Sequence, residues 1–277
     1  MDQDQLNCPP VNLNELPDDS PPVRAAVVEL RCRAVEEKLE VRQSDLSDAC
    51  LIRFLRCRDF DSHLAWKVFK NYHKWRRECP EVTANLHPSS VLSLLQAGYC
   101  GILKDRDPSG SRVVIYRIAQ WDPNIFTVYD LFRVSIMLSE LIIREPDTQR
   151  NGVKVIFDLQ GWKFAHAFQI TPAVTKKIAF TLTDGFPIKV RGIHVVREPL
   201  IFYHVFNLIK HFLPEKLKAR IHLHGNNFAY GLQKHFPVSL LPEEYNGEAG
   251  TFEEFSKDLT DFLMESTDYL QSISLLA

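Results

Sequence analysis

Four short apolar runs, each separated from the next by an amphipathic helical stretch, constrain this chain more than any other feature. They are residues 113–116 (VVIY), 153–159 (VKVIFDL), 190–196 (VRGIHVV) and 221–224 (IHLH). Each is too short and too rich in β-branched residues to be a helix, and Asp107-Pro108-Ser109-Gly110 supplies a turn ahead of the first. A further β-rich stretch covers 99–103. Helical patterns fall at 89–97, 127–144, 171–183, 199–220, from 226 onward and at 251–264. Strands alternating with helices predict an α/β fold with a mixed, largely parallel sheet flanked by helices.

The first third of the chain lacks strands. Residues 24–40, 46–58 and 62–78 carry helical spacing, with short links between them, which predicts a compact helical subdomain. Pro9, Pro10, Pro17, Pro21 and Pro22, among several Asp and Asn, predict a mobile tail before it. The expected organisation is a flexible tail over 1–22, a helical subdomain over 23–86 and the sheet-containing domain over 87–277.

With 277 residues, 45% hydrophobic and 25% charged, the chain can bury one large core or two smaller ones. A net charge of −2 gives no global attraction to nucleic acid, and no nucleic-acid partner is expected. No run approaches the ~18 apolar residues of a membrane span. The acidic start (Met1, Asp2, Asp4) does not read as a signal peptide. Cys8, Cys32, Cys50, Cys57, Cys79 and Cys100 form no Cys-x-x-Cys pair or zinc spacing, so reduced thiols in a cytoplasmic protein are expected.

Within 199–220 the apolar arc is unusually wide. At helical spacing Leu208, Ile201, Phe212, Val205, Ile209, Phe202, Leu213 and Phe206 cover about 160°, against about 100° for a helix resting on an ordinary core. Lys216, Lys218 and Arg220 follow. Two readings stand open: a deeply buried helix, or a helix with one apolar client beneath it and an anionic membrane surface outside it.

Catalytic constellations are missing. The sequence has no G-x-S-x-G elbow, no Walker loop, no dinucleotide-binding glycine pattern and no H-E-x-x-H. Catalytic residues and cofactors are therefore expected to be none. His222 and His224 share a strand face, but no third ligand is placed, so ordinary strand histidines are the expectation and no metal site is expected. Asp158, ending a strand, reads as a turn-capping carboxylate ahead of an active-site one. On 127–144, Thr127 and Asp130 make a capping pair, and Arg133, Glu140 and Arg144 mark the wet side. Ser135 and Ser139 sit one turn apart on the apolar side. Either they bond back to their own helix, or they face a cavity with one polar end. Lys189 with Arg191, and Lys216 with Arg220, form two basic pairs that flank the wide-arc helix and suit a multiply charged phosphate head group.

Residues 51–61 (LIRFLRCRDFD) and 71–75 (NYHKW) resemble the N-terminal helical module of the CRAL-TRIO lipid-binding proteins. Residues 112–225 resemble the matching lipid-binding domain, and the likeness falls among tocopherol-carrying members. It rests on 148–152 (TQRNG), 157–162 (FDLQGW), 166–172 (HAFQITP) and 189–194 (KVRGIH), and it covers nearly everything from about residue 12 onward. The resemblance implies a non-enzymatic carrier, monomeric in solution, that encloses one alpha-tocopherol in an apolar pocket under a lid helix at 199–212. Pocket positions are implied at Phe132, Ser135, Ile136, Ser139, Val153, Phe157, Ile170, Ile178, Thr181, Leu182 and Ile193. Membrane contact is implied at Phe164, Phe168, Ile201, Val205 and Leu208. Phosphatidylinositol bisphosphate contact is implied at Arg58, Lys189, Arg191, Lys216 and Arg220, with transient docking on endosomal or plasma membrane surfaces. The chain departs from the family at Cys100, Leu138, Phe180 and Thr181. The alternative ligands for the same fold are a retinoid, squalene or a phosphoinositide. An Asp184–Lys216 pair is expected to latch the closed lid.

Overall fold

The computed structural model describes residues 12–274. Its helices are α1 (Pro21–Glu36), α2 (Asp48–Cys57), α3 (Ser62–Glu78), α4 (Pro80–Thr83), α5 (Leu92–Gln96), α6 (Val128–Ile142), α7 (Pro146–Asn151), α8 (Phe164–Gln169), α9 (Pro172–Phe180), α10 (Phe202–His211), α11 (Glu215–Lys218), α12 (Phe228–Gln233), α13 (Phe252–Glu265) and α14 (Thr267–Ile273). The strands are β1 (Cys100–Ile102), β2 (Arg112–Arg117), β3 (Val153–Asp158), β4 (Val190–Val196) and β5 (Ile221–Leu223). They form one sheet in the order β1-β2-β3-β4-β5, with β1 antiparallel to β2 and every later pair parallel.

Spatial order equals chain order from β2 to β5, and this fixes the layering. Three right-handed crossovers between successive parallel strands must all lie on the same face. The connections α6–α7, α8–α9 and α10–α11 therefore cover one face. There they share a core with Val114, Tyr116, Ile193 and Val195. The opposite face carries Val113, Ile115, Ile156 and Val196, packed with Leu232, Phe236, Phe252 and Phe255 from α12, α13 and their flanks.

Local sequence chemistry sets the ends of the elements. Thr127 and Asp130 form the expected capping box on α6, with Thr127 N–H donating to Asp130 Oδ2 at 2.8 Å. Asp61 caps α3 by accepting from Leu64 N–H at 2.8 Å. Pro172 opens α9 behind the Thr171 cap. The α9 helix then widens into a π-turn at Thr181–Gly185. The π-turn is a device found mostly at functional sites.

Three expectations are corrected. The stretch 12–22 is folded against the protein rather than hanging as a tail: Asn14 is buried and donates to Asp59 at 2.7 Å, Asp18 pairs with Arg56, and Pro21 and Pro22 open α1. The part of that tail before residue 12 lies outside the described residues. The helix expected over 199–220 breaks into α10 and α11, because Pro214 lacks an N–H and disfavours helical geometry at Leu213. Glu140, expected on a wet face, is fully buried. It accepts from Tyr72 Oη at 2.5 Å, Arg76 at 3.0 Å and Arg53 at 3.4 Å, so α6 is joined to α2 and α3 through charge. The helical subdomain thus shares a continuous core with the sheet domain.

Candidate functional site

A central strand of a five-stranded sheet with helices on both faces should be buried along its whole length. β3 is not: Ile156 is wholly buried, while its neighbours Val155 and Phe157, which face the crossover helices, are only half-buried. The elements above them repeat the pattern. Phe132 on α6, Ile178 on α9, Leu182 in the π-turn, and Phe206 and Ile209 on α10 are half-buried apolar side chains packed against the same core. These half-buried side chains form a partly covered apolar surface shared by α6, α9, α10 and the crossover face of the sheet.

The residues expected in a pocket sit on β3, β4, α6, α9, the π-turn and the link between α8 and α9. Phe132, Phe157, Ile170, Ile178 and Leu182 are half-buried, and Ile136, Val153 and Ile193 are buried in the surrounding core. Phe157 stacks on Tyr116 at 5.3 Å between ring centroids. The hydroxyls divide the two readings between them. Ser135 Oγ donates to Leu131 O at 3.2 Å and Thr181 Oγ1 to Lys177 O at 3.0 Å, both within their own helices. Ser139 makes no such bond to a described residue and is half-buried, so it is the hydroxyl left for a polar partner. Cys100 is buried beneath, and desolvation pushes its thiol well above the ordinary range. Val155, Phe206, Ile209 and Leu223 join the lining without having been anticipated. Their signal was present, in the strand alternation and the wide arc of α10. A separate cleft of about 450 Å³ between α5 and α13, lined in part by Gln96, Glu253, Lys257 and Asp261, touches none of these residues.

The apolar exterior differs from the expected edge. Val205 is buried at 9% exposure and packs in the core, while Ile201 and Leu208 are half-buried. Of the expected membrane-contact residues Phe164 (64%) and Phe168 (80%) are the exposed ones, and Leu200 (86%), which was not expected, joins them, with Tyr203 and Phe212 partly open. Trp162 packs edge-on against Phe202 at 5.4 Å, which ties the entry to α8 to the first turn of α10.

The basic residues separate into engaged and available groups. Lys189 is buried, with Nζ 2.6 Å from Asp59 Oδ1 and 3.1 Å from Arg150 O, and desolvation lowers its pKa. Arg58 holds the π-turn, donating to Thr183 O at 2.5 Å and lying 3.7 Å from Asp184. Asp184 pairs with Lys67 at 2.6 Å rather than with Lys216, so the expected latch is replaced by a bridge from α3 to the π-turn. Arg191, Arg220 and Lys216 remain. Arg191 donates to Asn151 O at 3.1 Å and Arg220 to Val190 O at 2.6 Å. Among the described residues, none of the three is within ion-pair distance of a carboxylate. Burial and then the Arg191 charge pull the Arg220 pKa below its ordinary value. Guanidiniums crowded without a counter-charge suit an incoming anion. Asp158, by contrast, is structural: it holds Arg197 at 2.5 Å, Tyr245 Oη at 3.0 Å and the Gln160 N–H at 3.0 Å.

The sheet with one-sided crossovers, its partly covered apolar surface and the attached helical module together define an α/β architecture of two packed parts. Residues 96–247 match the CRAL/TRIO domain and residues 15–71 the CRAL/TRIO N-terminal domain, and the chain belongs to the CRAL/TRIO family of lipid carriers. Among curated relatives it is 40% identical over 207 residues to the alpha-tocopherol transfer protein-like protein of Homo sapiens, covering 75% of this chain and 60% of that one. It is 37% identical over 216 residues to the Mus musculus protein of the same name (78% and 63% covered), and 31% identical over 202 residues to clavesin-1 of Rattus norvegicus (72% and 57% covered). The chain thus spans about 60% of the length of the curated relatives it matches. The crystal structure of Sfh5 superposes with a TM-score of 0.55 at 13% identity, covering 92% of this chain and 99% of that one, a likeness of fold. Among the described residues no helix is long and apolar enough to cross a membrane.

Proposed function

We propose that this chain is an intracellular carrier that encloses one alpha-tocopherol between the sheet and α9–α10 and delivers it to membranes, working as a monomer on the cytoplasmic side. The observation that carries the reading is the half-buried Val155 and Phe157 on the central strand, beneath a helix of surplus apolarity. The printed name of the relatives supplies the ligand. Burying about 500 Å² of lipid at ~25 cal/mol/Å² yields on the order of 12 kcal/mol before the losses of association, so release into water is slow. A membrane offers an equally apolar destination. Phe164, Phe168 and Leu200 are the first contacts, and Ile201, Val205 and Leu208 follow only if α10 lifts. A phosphatidylinositol bisphosphate head group on Arg191, Lys216 and Arg220 favours release only if it binds the opened state more tightly than the closed one. Lys189 joins only by leaving Asp59.

Native mass spectrometry of the chain expressed in lipid-rich cells tests the ligand. A bound mass equal to tocopherol supports the proposal. The mass of a retinoid, squalene or a phosphoinositide replaces it. For the basic patch, the combined Arg191→Ala, Lys216→Ala and Arg220→Ala variant is expected to slow transfer to phosphoinositide-containing vesicles at least tenfold while leaving solution binding unchanged. Equal transfer rates with and without the substitutions would remove the head-group step.

A further inference from the structure

Four imidazoles meet on the face of the sheet that the lipid space does not use. His194 on β4 and His222 on β5 are register partners, so their side chains leave the same face, and their rings stack with centroids 4.9 Å apart. His235, two residues past α12, closes on both, at 4.7 Å from His194 and 4.4 Å from His222. One ring nitrogen from each of the three lies within 4.8 Å of the other two. The His224 ring lies nearly parallel to that of His194, and its Nε2 is 3.0 Å from His194 Nδ1.

We propose that His194, His222 and His235 form a three-histidine site for a divalent transition-metal ion of the zinc type. Imidazole is the ligand such ions share, and three protein ligands with one open position make a common zinc geometry. Tetrahedral zinc with bonds of 2.0–2.1 Å sets its nitrogens about 3.4 Å apart, so loading draws these rings together by roughly an ångström. His222 and His235 are half-exposed, which gives them that freedom and gives an ion its entry path.

The surroundings are those of a held ligand. In the tautomer that protonates Nδ1 of His194, its Nε2 carries the free lone pair, and the contact with His224 orients the ring as outer-shell partners of metal ligands do. Gly192 keeps the space beside that nitrogen open: a Cβ there would lie 3.0 Å from Nε2. Gly231 makes room for His224, whose Nδ1 would stand 2.2 Å from a Cβ on that residue. Two cations face the cluster: Lys154, whose ammonium is 2.5 Å from the buried Asp107 carboxylate, which offsets its charge, and Lys234 on the side of His224 and His235. Core packing accounts for His194, which is 1% exposed. It does not account for two half-exposed rings from separate elements closing on the same point.

The test uses the full chain after chelator treatment, in equilibrium dialysis against Zn²⁺, with Co²⁺ as a spectroscopic substitute. The expected result is one bound equivalent, tetrahedral cobalt bands in the visible spectrum, and an affinity reduced at least tenfold by either His222→Gln or His235→Gln. The double variant should lose the cobalt bands altogether. Both positions are half-exposed, and metal-free thermal melts of the variants verify that they fold. The proposal is overturned if no equivalent binds. It is equally overturned if zinc binding is unchanged in the folded double variant, because the metal then sits elsewhere, for example on exposed Cys32.

Discussion

Replacing Glu140 by Ala is expected to destabilise the folded chain by about 3–5 kcal/mol, the cost of leaving a buried ion pair with one partner removed. The carboxylate is the shared acceptor for Tyr72 Oη at 2.5 Å, Arg76 at 3.0 Å and Arg53 at 3.4 Å, and all four side chains are buried. Without it, two guanidiniums stay in the core facing each other with no counter-charge. Their alternatives are poor. Among the described residues Arg53 otherwise donates only to Cys50 Sγ and lies over the Phe54 and Tyr72 rings, and Arg76 otherwise bonds the Ile273 carbonyl and lies over the Tyr72 ring. A typical domain has only about 5–15 kcal/mol to lose. At roughly 2–4 °C per kcal/mol for a chain of this size, a drop in melting temperature of about 6–20 °C should appear by calorimetry. Glu140→Gln keeps an acceptor and loses the charge, so it should fall between. A shift below 2 °C for the Ala variant would mean that water enters and solvates the two arginines.

Glu140 also shows where sequence reading stops. An isolated Glu in an apolar helix is assigned to solvent by periodicity, because polar residues usually face water. Its partners lie 64, 68 and 87 residues away, and no local pattern announces such a pairing. Where the decisive chemistry is local, reading and structure coincide. The Asp61 cap fixed the start of α3, and the β-branched run fixed β4 at Val190–Val196. Pro214 was legible too, since a helix carried through it contradicts the missing N–H. At the candidate site the residue types were readable but their states were not. Lys189 looked like a free cation until Asp59 was brought to 2.6 Å, and Val205 looked like a membrane edge until the helices above the sheet covered it. Burial and pairing are tertiary properties. Spacing gives the face a residue occupies on its own element and leaves open what that face meets.

Filling the space above the sheet should abolish ligand retention while leaving the fold intact, and two adjacent residues of β3 make the comparison internal. Val155 is half-buried toward α9 and α10, and Ile156 is wholly buried toward α12 and α13. If the first faces a real cavity, a Val155→Trp ring enters existing space. Stability should then change by less than about 1–2 kcal/mol, while affinity for tocopherol falls more than a hundredfold, or about 2.8 kcal/mol, because the indole takes the volume the lipid needs. Ile156→Trp adds the same ring to a face packed at ordinary density. It has no cavity to enter, and should unfold the protein or lower its stability by several kcal/mol through overpacking. Thermal melts give one axis, and the retained lipid mass gives the other. Equal destabilisation by both substitutions would show that the sheet is packed alike on its two faces, and the half-burial of Val155 and Phe157 would then reflect a shallow surface rather than an enclosed ligand space. Stability unchanged and lipid still bound in Val155→Trp would place the ligand elsewhere, away from the centre of β3. Stability unchanged and lipid lost is the combination that only an enclosed apolar cavity over this strand produces.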